Sequence, residues 1–187
     1  MARVAILASG RGSNAKSLMD HFSKDPEIEV VFVGSNRKSA GVLDLAAEAS
    51  IEAFHFTKDQ MNSGHLLSEL QSRKVDWVLL SGFLLKIPAE IIENFKGKMM
   101  NIHPSLLPKF GGKGMYGMNV HNAVLEAKEI ESGMTIHMVT EDYDEGDVVF
   151  QASVDISDCK TAEEIASKVL ALEHEYYPSV ASAVIKG

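Results

Sequence analysis

The sequence predicts an α/β protein built on a doubly wound, mostly parallel, Rossmann-like sheet that ends in an antiparallel strand pair. Short apolar runs alternate with helical segments as far as Ile102, which is the pattern of consecutive βαβ units. The first run, Val4–Ala8, is uniformly apolar, as expected for a strand buried on both faces of a sheet. From Gly133 onwards two segments alternate instead, and this change predicts the antiparallel pair.

In the parallel part, a helix separates each predicted strand from the next. The strands are Val4–Ala8, Ile28–Val33, Ala53–Phe56, Trp77–Leu80 and Met99–Ile102. The helices cover residues 14–22, 41–50, 61–71 and 88–95, and Pro88 suits the first turn of the last one. The loops after Ala8, Leu80 and Ile102 therefore leave the carboxyl edge of the sheet, where such folds carry their active sites.

The C-terminal part begins with a glycine-rich loop, Gly111–Gly117, and a helix, Asn119–Ala127. The antiparallel strands, Gly133–Val139 and Val148–Val154, flank an acidic loop. A closing helix covers residues 161–185. Thr161 and Glu164 have the spacing of a capping box at its start, and Pro178 can interrupt it.

Length and composition predict one globular domain covering residues 1–187. Hydrophobic residues make up 45% of the chain and charged residues 24%, which is ordinary for such a domain. The net charge of −8 argues against broad electrostatic binding to nucleic acid or to an anionic membrane. We expect small-molecule partners and either a monomer or a homodimer.

The N-terminal segment and the cysteine content predict a cytoplasmic protein. Cys159 is the only cysteine, so no disulfide can form within the chain. Val4–Ala8 is too short for the apolar segment of a signal peptide. No stretch approaches the roughly 18 apolar residues that a membrane helix needs.

The segment Asn101–Pro108, Asn-Ile-His-Pro-Ser-Leu-Leu-Pro, is the strongest candidate for a catalytic centre. Pro104 favours an extended conformation at His103, and positions i and i+2 of a strand face the same way. Asn101 and His103 should therefore project together, the first as a fixed donor and the second as a titratable group. This pairing suits the stabilisation of an oxyanion with transfer of a proton, whereas an isolated Asn-x-His is more often a strand end.

The turn Gly10–Asn14 lies where the first strand gives way to a helix. Glycines allow close approach of a ligand, and free amides at a helix N-terminus favour an anion. The turn is compatible with a phosphomonoester site, a dinucleotide site with Arg37 behind it, or a plain tight turn. Ser13 and Asn14 add side-chain donors, so we favour the phosphomonoester.

Asp144 lies in the acidic loop Thr140–Gly146, which on its own could be a solvated hairpin turn. His137 is expected to be a core residue or to support the site indirectly, and His121 to line it. No short spacing among the histidines and acidic residues is typical of zinc ligands, so we predict no metal.

Together these motifs identify the chain as similar to the formyltetrahydrofolate-dependent formyltransferases. The resemblance covers almost the whole chain and includes, in the expected order, Gly10-x-Gly-Ser-Asn14, Gly82-Phe83, the segment Asn101–Pro108, Asp144-Glu-Gly-Asp-Val-Val-Phe-Gln151, and Glu173-His-Glu-Tyr-Tyr-Pro178. It implies the single-domain formyltransferase fold.

The resemblance also implies roles for individual residues. It makes Asn101, His103 and Asp144 catalytic, with Asp144 raising the pKa of His103 and keeping the ring protonated. It assigns the substrate's phosphate and ribose to Gly12, Ser13, Asn14 and Glu173. It assigns the folate to Leu84, Leu85, Lys86, Ile87, Asn101, Thr140, Glu141, Asp142 and Asp144.

The implied reaction moves the formyl group of 10-formyltetrahydrofolate to the amine of N1-(5-phosphoribosyl)glycinamide in de novo purine biosynthesis, by direct attack and a tetrahedral intermediate. The alternatives are a formyltetrahydrofolate hydrolase, in which water replaces the amine, and an NADP-binding Rossmann protein. The sequence departs from many family members at Leu85 and Lys86, where an arginine is common. It also departs in the loop 110–118, which is longer and richer in glycine.

Overall fold

The computed structural model describes residues 1–187 as seven strands and seven helices. The strands are β1 (Ala2–Leu7), β2 (Ile28–Ser35), β3 (Ala53–His55), β4 (Trp77–Leu80), β5 (Met99–His103), β6 (Glu131–Met138) and β7 (Val148–Asp155). The helices are α1 (Ser13–Phe22), α2 (Gly41–Glu48), α3 (Lys58–Asn62), α4 (His65–Ser72), α5 (Ala89–Asn94), α6 (Met118–Glu126) and α7 (Ala162–Lys186). None of these helices has the length and apolar character needed to cross a membrane.

All seven strands form one sheet in the order β3-β2-β1-β4-β5-β6-β7. The first five strands pair in parallel, and β5–β6 and β6–β7 pair antiparallel. The predicted fold class, including the antiparallel pair at the C-terminal end, is therefore confirmed.

The sheet is covered on both faces, as a doubly wound fold requires. Successive residues of β1 point to opposite sides: Val4 and Ile6 belong to the core beneath α1 and α7, whereas Ala5 and Leu7 belong to the core beneath α4 and α5. Burial on both sides explains why this strand reads as an unbroken apolar run.

Two predicted helices differ from the structure. The predicted single helix 61–71 is wrong, because Gly64 takes a left-handed conformation (φ 82°) and separates α3 from α4. The closing helix, by contrast, continues through Pro178. Pro178 is buried, and the hydroxyl of the preceding Tyr177 donates to the Leu80 carbonyl at 3.0 Å, so tertiary contacts hold the helix on either side of the missing amide.

The connection between β6 and β7 takes an unexpected route to the site. Because β6 runs antiparallel to β5, its end at Met138 pairs with Met100 near the start of β5. The acidic loop thus leaves from the amino end of β5 and folds back along the sheet. Asp144, in a left-handed conformation (φ 57°), reaches the Gly112 amide at 2.8 Å.

Gly133 in β6 gives a test of the antiparallel pairing. A Cβ at this position would lie 2.1 Å from the Ala152 carbonyl oxygen of β7. We expect Gly133→Ala to lower the free energy of unfolding by at least about 2 kcal/mol, because backbone must move to relieve the overlap. Urea denaturation measures the change.

Ser132→Ala is the matched control, since the buried Ser132 hydroxyl has no hydrogen-bond partner and its loss costs little. Equal stability of Gly133→Ala and the control would contradict the close β6–β7 approach.

Candidate active site

A cavity of about 650 Å³ opens beside the carboxyl ends of β1, β4 and β5. The loops that follow these strands line it, together with the glycine-rich loop, the acidic loop and α7. This volume suits a ligand of drug or cofactor size. Two ends of different chemistry and a polar centre can be distinguished.

The polar centre combines Asn101 and His103 of β5, His137 of β6, and Asp144 of the acidic loop. His103 and His137 are almost fully buried. Asp144 Oδ1 lies 3.6 Å from His103 Nδ1 and 3.6 Å from His137 Nε2. Both distances are longer than that of a hydrogen bond. The carboxylate therefore acts on the two rings through its charge.

The hydrogen bonds of His103 identify the nitrogen that can titrate. His103 Nε2 lies 2.8 Å from the Phe110 carbonyl oxygen, which can only accept, so this nitrogen carries a proton. The second nitrogen, Nδ1, faces Asp144. A proton gained or lost by the ring is therefore gained or lost at Nδ1.

Asp144 acts to raise the pKa of His103, as expected, but burial opposes this effect. Burial lowers the pKa of His103, and it outweighs the opposing effects of the Asp144 charge and the Phe110 carbonyl. Burial also acts to raise the pKa of Asp144, but His137, His103 and the Gly112 amide together hold it below its usual value. Burial thus favours a neutral imidazole at His103, and its neighbours favour a carboxylate at Asp144.

His137 supports Asn101 directly. The two residues are register partners across β5 and β6, and Asn101 Nδ2 lies 3.0 Å from His137 Nε2. The other ring nitrogen, Nδ1, donates to the Met138 carbonyl at 3.0 Å, which leaves Nε2 to accept from the amide. One Asn101 N–H is thus engaged and the second is free. No sequence signal reveals this contact, because it depends on the register.

One end of the cavity is formed by the start of α1 and the middle of α7. Gly12 precedes α1 with φ 85°, and a Cβ there would meet Val42 at 2.6 Å, so only glycine fits. The helix has no side-chain cap, and its first amides are available to an anion. Ser13 and Asn14 line the cavity, whereas Gly12 shapes the turn from behind.

Glu173 completes this end. It is buried, and Asn14 Nδ2 donates to its Oε2 at 2.7 Å. Burial raises the pKa of Glu173 to about 7, with the Asn14 bond acting against the shift. Asn14 Oδ1 is also buried and has no partner, so both side chains retain unused hydrogen-bonding capacity.

The other end lies between the loop after β4 and the acidic loop. All the residues that the resemblance assigned to the folate line the cavity: Leu84, Leu85, Lys86, Ile87, Asn101, Thr140, Glu141, Asp142 and Asp144. At its mouth Lys86 Nζ lies 5.6 Å from the centre of the Tyr143 ring, a cation–π contact that joins the two loops.

His121 also lines the cavity, and burial lowers its pKa. The structure contains no group of three or more His, Cys, Asp or Glu side chains arranged to hold a metal ion.

Comparison with known proteins gives consistent matches along the whole chain. The formyl transferase family profile matches residues 2–181. A chloroplastic phosphoribosylglycinamide formyltransferase of Arabidopsis thaliana is 39% identical over 190 residues, and one of Vigna unguiculata is 39% identical over 188. These alignments cover 97% of this chain in both cases, but only 65% and 60% of the two relatives.

Solved structures match more completely. The crystal structure of phosphoribosylglycinamide formyltransferase from Anaplasma phagocytophilum superimposes with a TM-score of 0.90 at 34% identity, covering 99% of this chain and 87% of that one. The family profile covers residues 2–181, and the structural likeness extends over almost the whole chain. The chain belongs to the formyl transferase family.

Proposed function

We propose that the chain transfers the formyl group of 10-formyltetrahydrofolate to the amine of N1-(5-phosphoribosyl)glycinamide. The observation that carries the proposal is one continuous cavity with the uncapped start of α1 at one end, the segments 84–87 and 140–144 at the other, and Asn101, His103 and Asp144 between them. The names of the relatives support the same reaction. Because the chain spans less than two thirds of the length of the two plant relatives, the substrates are part of the proposal.

The ribonucleotide is proposed to lie at the end formed by α1 and α7. Its phosphate would accept hydrogen bonds from the amides of Gly12, Ser13 and Asn14, where the helix dipole also favours negative charge. The ribose hydroxyls would donate to Glu173, whose second oxygen has no partner within the chain. This orientation directs the amine towards Asn101 and His103.

10-Formyltetrahydrofolate is proposed to occupy the opposite end. The pteridine would lie between the segments 84–87 and 140–144, where backbone groups can pair with its polar edge. Leu85 and Lys86 replace the arginine common in the family, so the contact here relies on the backbone and on apolar surface. The formyl group would then reach the polar centre from the side opposite the amine.

In this proposal the neutral amine forms a bond to the formyl carbon, and the carbonyl electron pair moves onto oxygen. The second N–H of Asn101 donates to the developing oxyanion, a type of contact worth about 3–4 kcal/mol. The bond from carbon to N10 then breaks, its electron pair stays on nitrogen, and the carbonyl re-forms on the product.

His103 is proposed to carry the proton between the two nitrogens. The attacking nitrogen must lose a proton and N10 must gain one. A neutral His103 with a free Nδ1 can accept it, and the resulting imidazolium is stabilised by Asp144 and by the oxyanion. The lowered pKa of His103 therefore suits a proton acceptor better than a permanently charged group.

We also propose a cellular setting for the reaction. Cys159 is half-buried, is the single cysteine, and has a raised thiol pKa because of burial, which fits a reducing cytoplasmic location. One domain spanning residues 1–187, and a monomer or homodimer, remain predictions.

The direct test follows loss of 10-formyltetrahydrofolate with and without glycinamide ribonucleotide. We expect consumption only when the ribonucleotide is present, with formylated product detected by mass spectrometry. Equal consumption without the ribonucleotide would indicate a hydrolase instead. No consumption, together with tight binding of NADP, would favour the dinucleotide-binding alternative.

Asp144→Asn should lower kcat by at least about 100-fold, the scale of a lost acid–base contribution. Asparagine can still accept from the Gly112 amide, but it lacks the charge that stabilises protonated His103. Steady-state kinetics and circular dichroism measure activity and fold separately. Asp147→Asn on the same exposed loop is the control, and a wild-type kcat in Asp144→Asn would remove Asp144 from the mechanism.

Glu173→Gln should change the stability of the protein and its affinity for the ribonucleotide in opposite directions at high pH. The ordinary pKa of a glutamate is 4.5, and burial raises the pKa of Glu173 to about 7 in the folded protein. The folded state thus holds a proton that the unfolded chain releases, and stability is lost as pH rises from 4.5 to 7. That difference corresponds to about 3 kcal/mol above pH 7.

We therefore expect Glu173→Gln to be more stable than the wild type at pH 8 by up to about 3 kcal/mol, but not at pH 5. The same variant should bind the ribonucleotide more weakly, because an amide has one accepting oxygen. Urea denaturation at both pH values and ribonucleotide titration measure the two effects. Glu175→Gln, exposed on the same helix, should change neither.

A further inference from the structure

Ser9 connects the turn Gly10–Asn14, at one end of the cavity, to the loop after β4, at the other end. It follows β1, is 1% exposed, and immediately precedes the turn Gly10–Asn14. Its backbone N–H donates to the Gly82 carbonyl at 3.1 Å, and its Oγ accepts from the Leu84 N–H at 2.9 Å. One residue thus holds the loop after β4 at two points.

A third contact fixes the direction of these hydrogen bonds. Ser9 Oγ lies 2.6 Å from Asn36 Oδ1, at the end of β2. A hydroxyl has one proton to donate, and here the proton goes to Asn36, so the lone pairs remain for the Leu84 amide. The chain of donors runs from Leu84 N–H to Ser9 Oγ–H to Asn36 Oδ1. Hydrogen bonds in such a chain strengthen one another.

The Leu84 amide has no other acceptor in the structure. Leu84 lies in a segment without regular secondary structure, so no strand or helix would hold it if the Ser9 hydroxyl were absent. Gly82, two residues earlier, has φ 69°, which glycine adopts without strain, and its carbonyl is held by the Ser9 N–H. The shape of segment 82–84 therefore depends on residue 9.

We propose that Ser9 is a positioning residue for the formyl donor: its hydroxyl sets the backbone of the Leu84 segment from the base of the phosphate-binding turn. This inference rests on the proposed function, because Leu84 is assigned to the folate end of the cavity. Ser9 touches neither substrate in this arrangement. It acts by fixing the loop that does.

Ser9→Ala should raise KM for 10-formyltetrahydrofolate by about three- to tenfold, the effect of one lost neutral hydrogen bond. KM for the ribonucleotide and kcat should stay within about twofold of wild type, because the turn and the polar centre keep their own contacts. Ser132→Ala, which removes a buried hydroxyl without a partner, is the matched control.

Asn36 provides a second route to the same test if Ser9→Ala folds poorly. Asn36→Ala removes the acceptor that orients the hydroxyl and should raise the same KM, whereas Asn36→Asp keeps an acceptor and should restore it. The double variant should be no worse than Ser9→Ala alone, since the two changes act on one hydrogen-bonded chain. Additive effects, or equal losses in kcat and both KM values, would overturn the proposal.

Hydrogen exchange of the Leu84 amide tests the tie without substrates. In Ser9→Ala this amide should exchange at least about threefold faster than in wild type, as expected for the loss of its only acceptor. Unchanged exchange would overturn the proposal even if formyl transfer is established. If this amide exchanges faster in Ser9→Ala but the wild-type protein does not transfer a formyl group, the proposed function would be wrong. The hydrogen bond between Ser9 and Leu84 would still be supported.

Discussion

The antiparallel register between β5 and β6 is the constraint on which the candidate site depends. It sets Asn101 opposite His137 and His103 opposite Thr135. A slip of one residue would turn the polar face of either strand into the core. The Thr135 hydroxyl secures the pairing from behind, since it donates to the Ser105 carbonyl at 2.6 Å and accepts from the Leu107 amide at 3.0 Å. The segment that follows β5 is therefore anchored to β6 as well.

Burial sets the proton chemistry of the polar centre. A chain with a net charge of −8 could be expected to hold its histidines charged, and an adjacent carboxylate strengthens that expectation. The cost of removing an imidazolium from water is larger here, and it lowers the pKa of His103. The corresponding cost of removing a carboxylate from water raises the pKa of Glu173 at the other end of the cavity. Burial thus disfavours the charged form of both side chains.

The sequence alone was sufficient to predict the features that depend on local patterns of residues. Strand–helix alternation predicted the parallel sheet, and i, i+2 spacing in a strand predicted that Asn101 and His103 face the same way. It was insufficient for features set by distant contacts. The His137 contact requires the β5–β6 register, and the pKa of His103 requires its burial. The split at Gly64 follows from the left-handed conformation of that glycine, which the apolar pattern of residues 61–71 did not reveal, whereas the unbroken helix at Pro178 reflects tertiary packing that opposes the local signal.

The centre joins rigid groups from strands with groups carried on loops. Asn101, His103 and His137 belong to β5 and β6, whereas Asp144 and the glycine-rich loop do not. Segment 110–112 touches both catalytic groups, because the Phe110 carbonyl accepts from His103 and the Gly112 amide donates to Asp144. Any displacement of this short segment would release His103 Nε2–H and one oxygen of Asp144 at once. The position of this segment therefore influences the proton chemistry of the centre, because the Phe110 carbonyl acts to raise the pKa of His103 and the Gly112 amide acts to lower the pKa of Asp144.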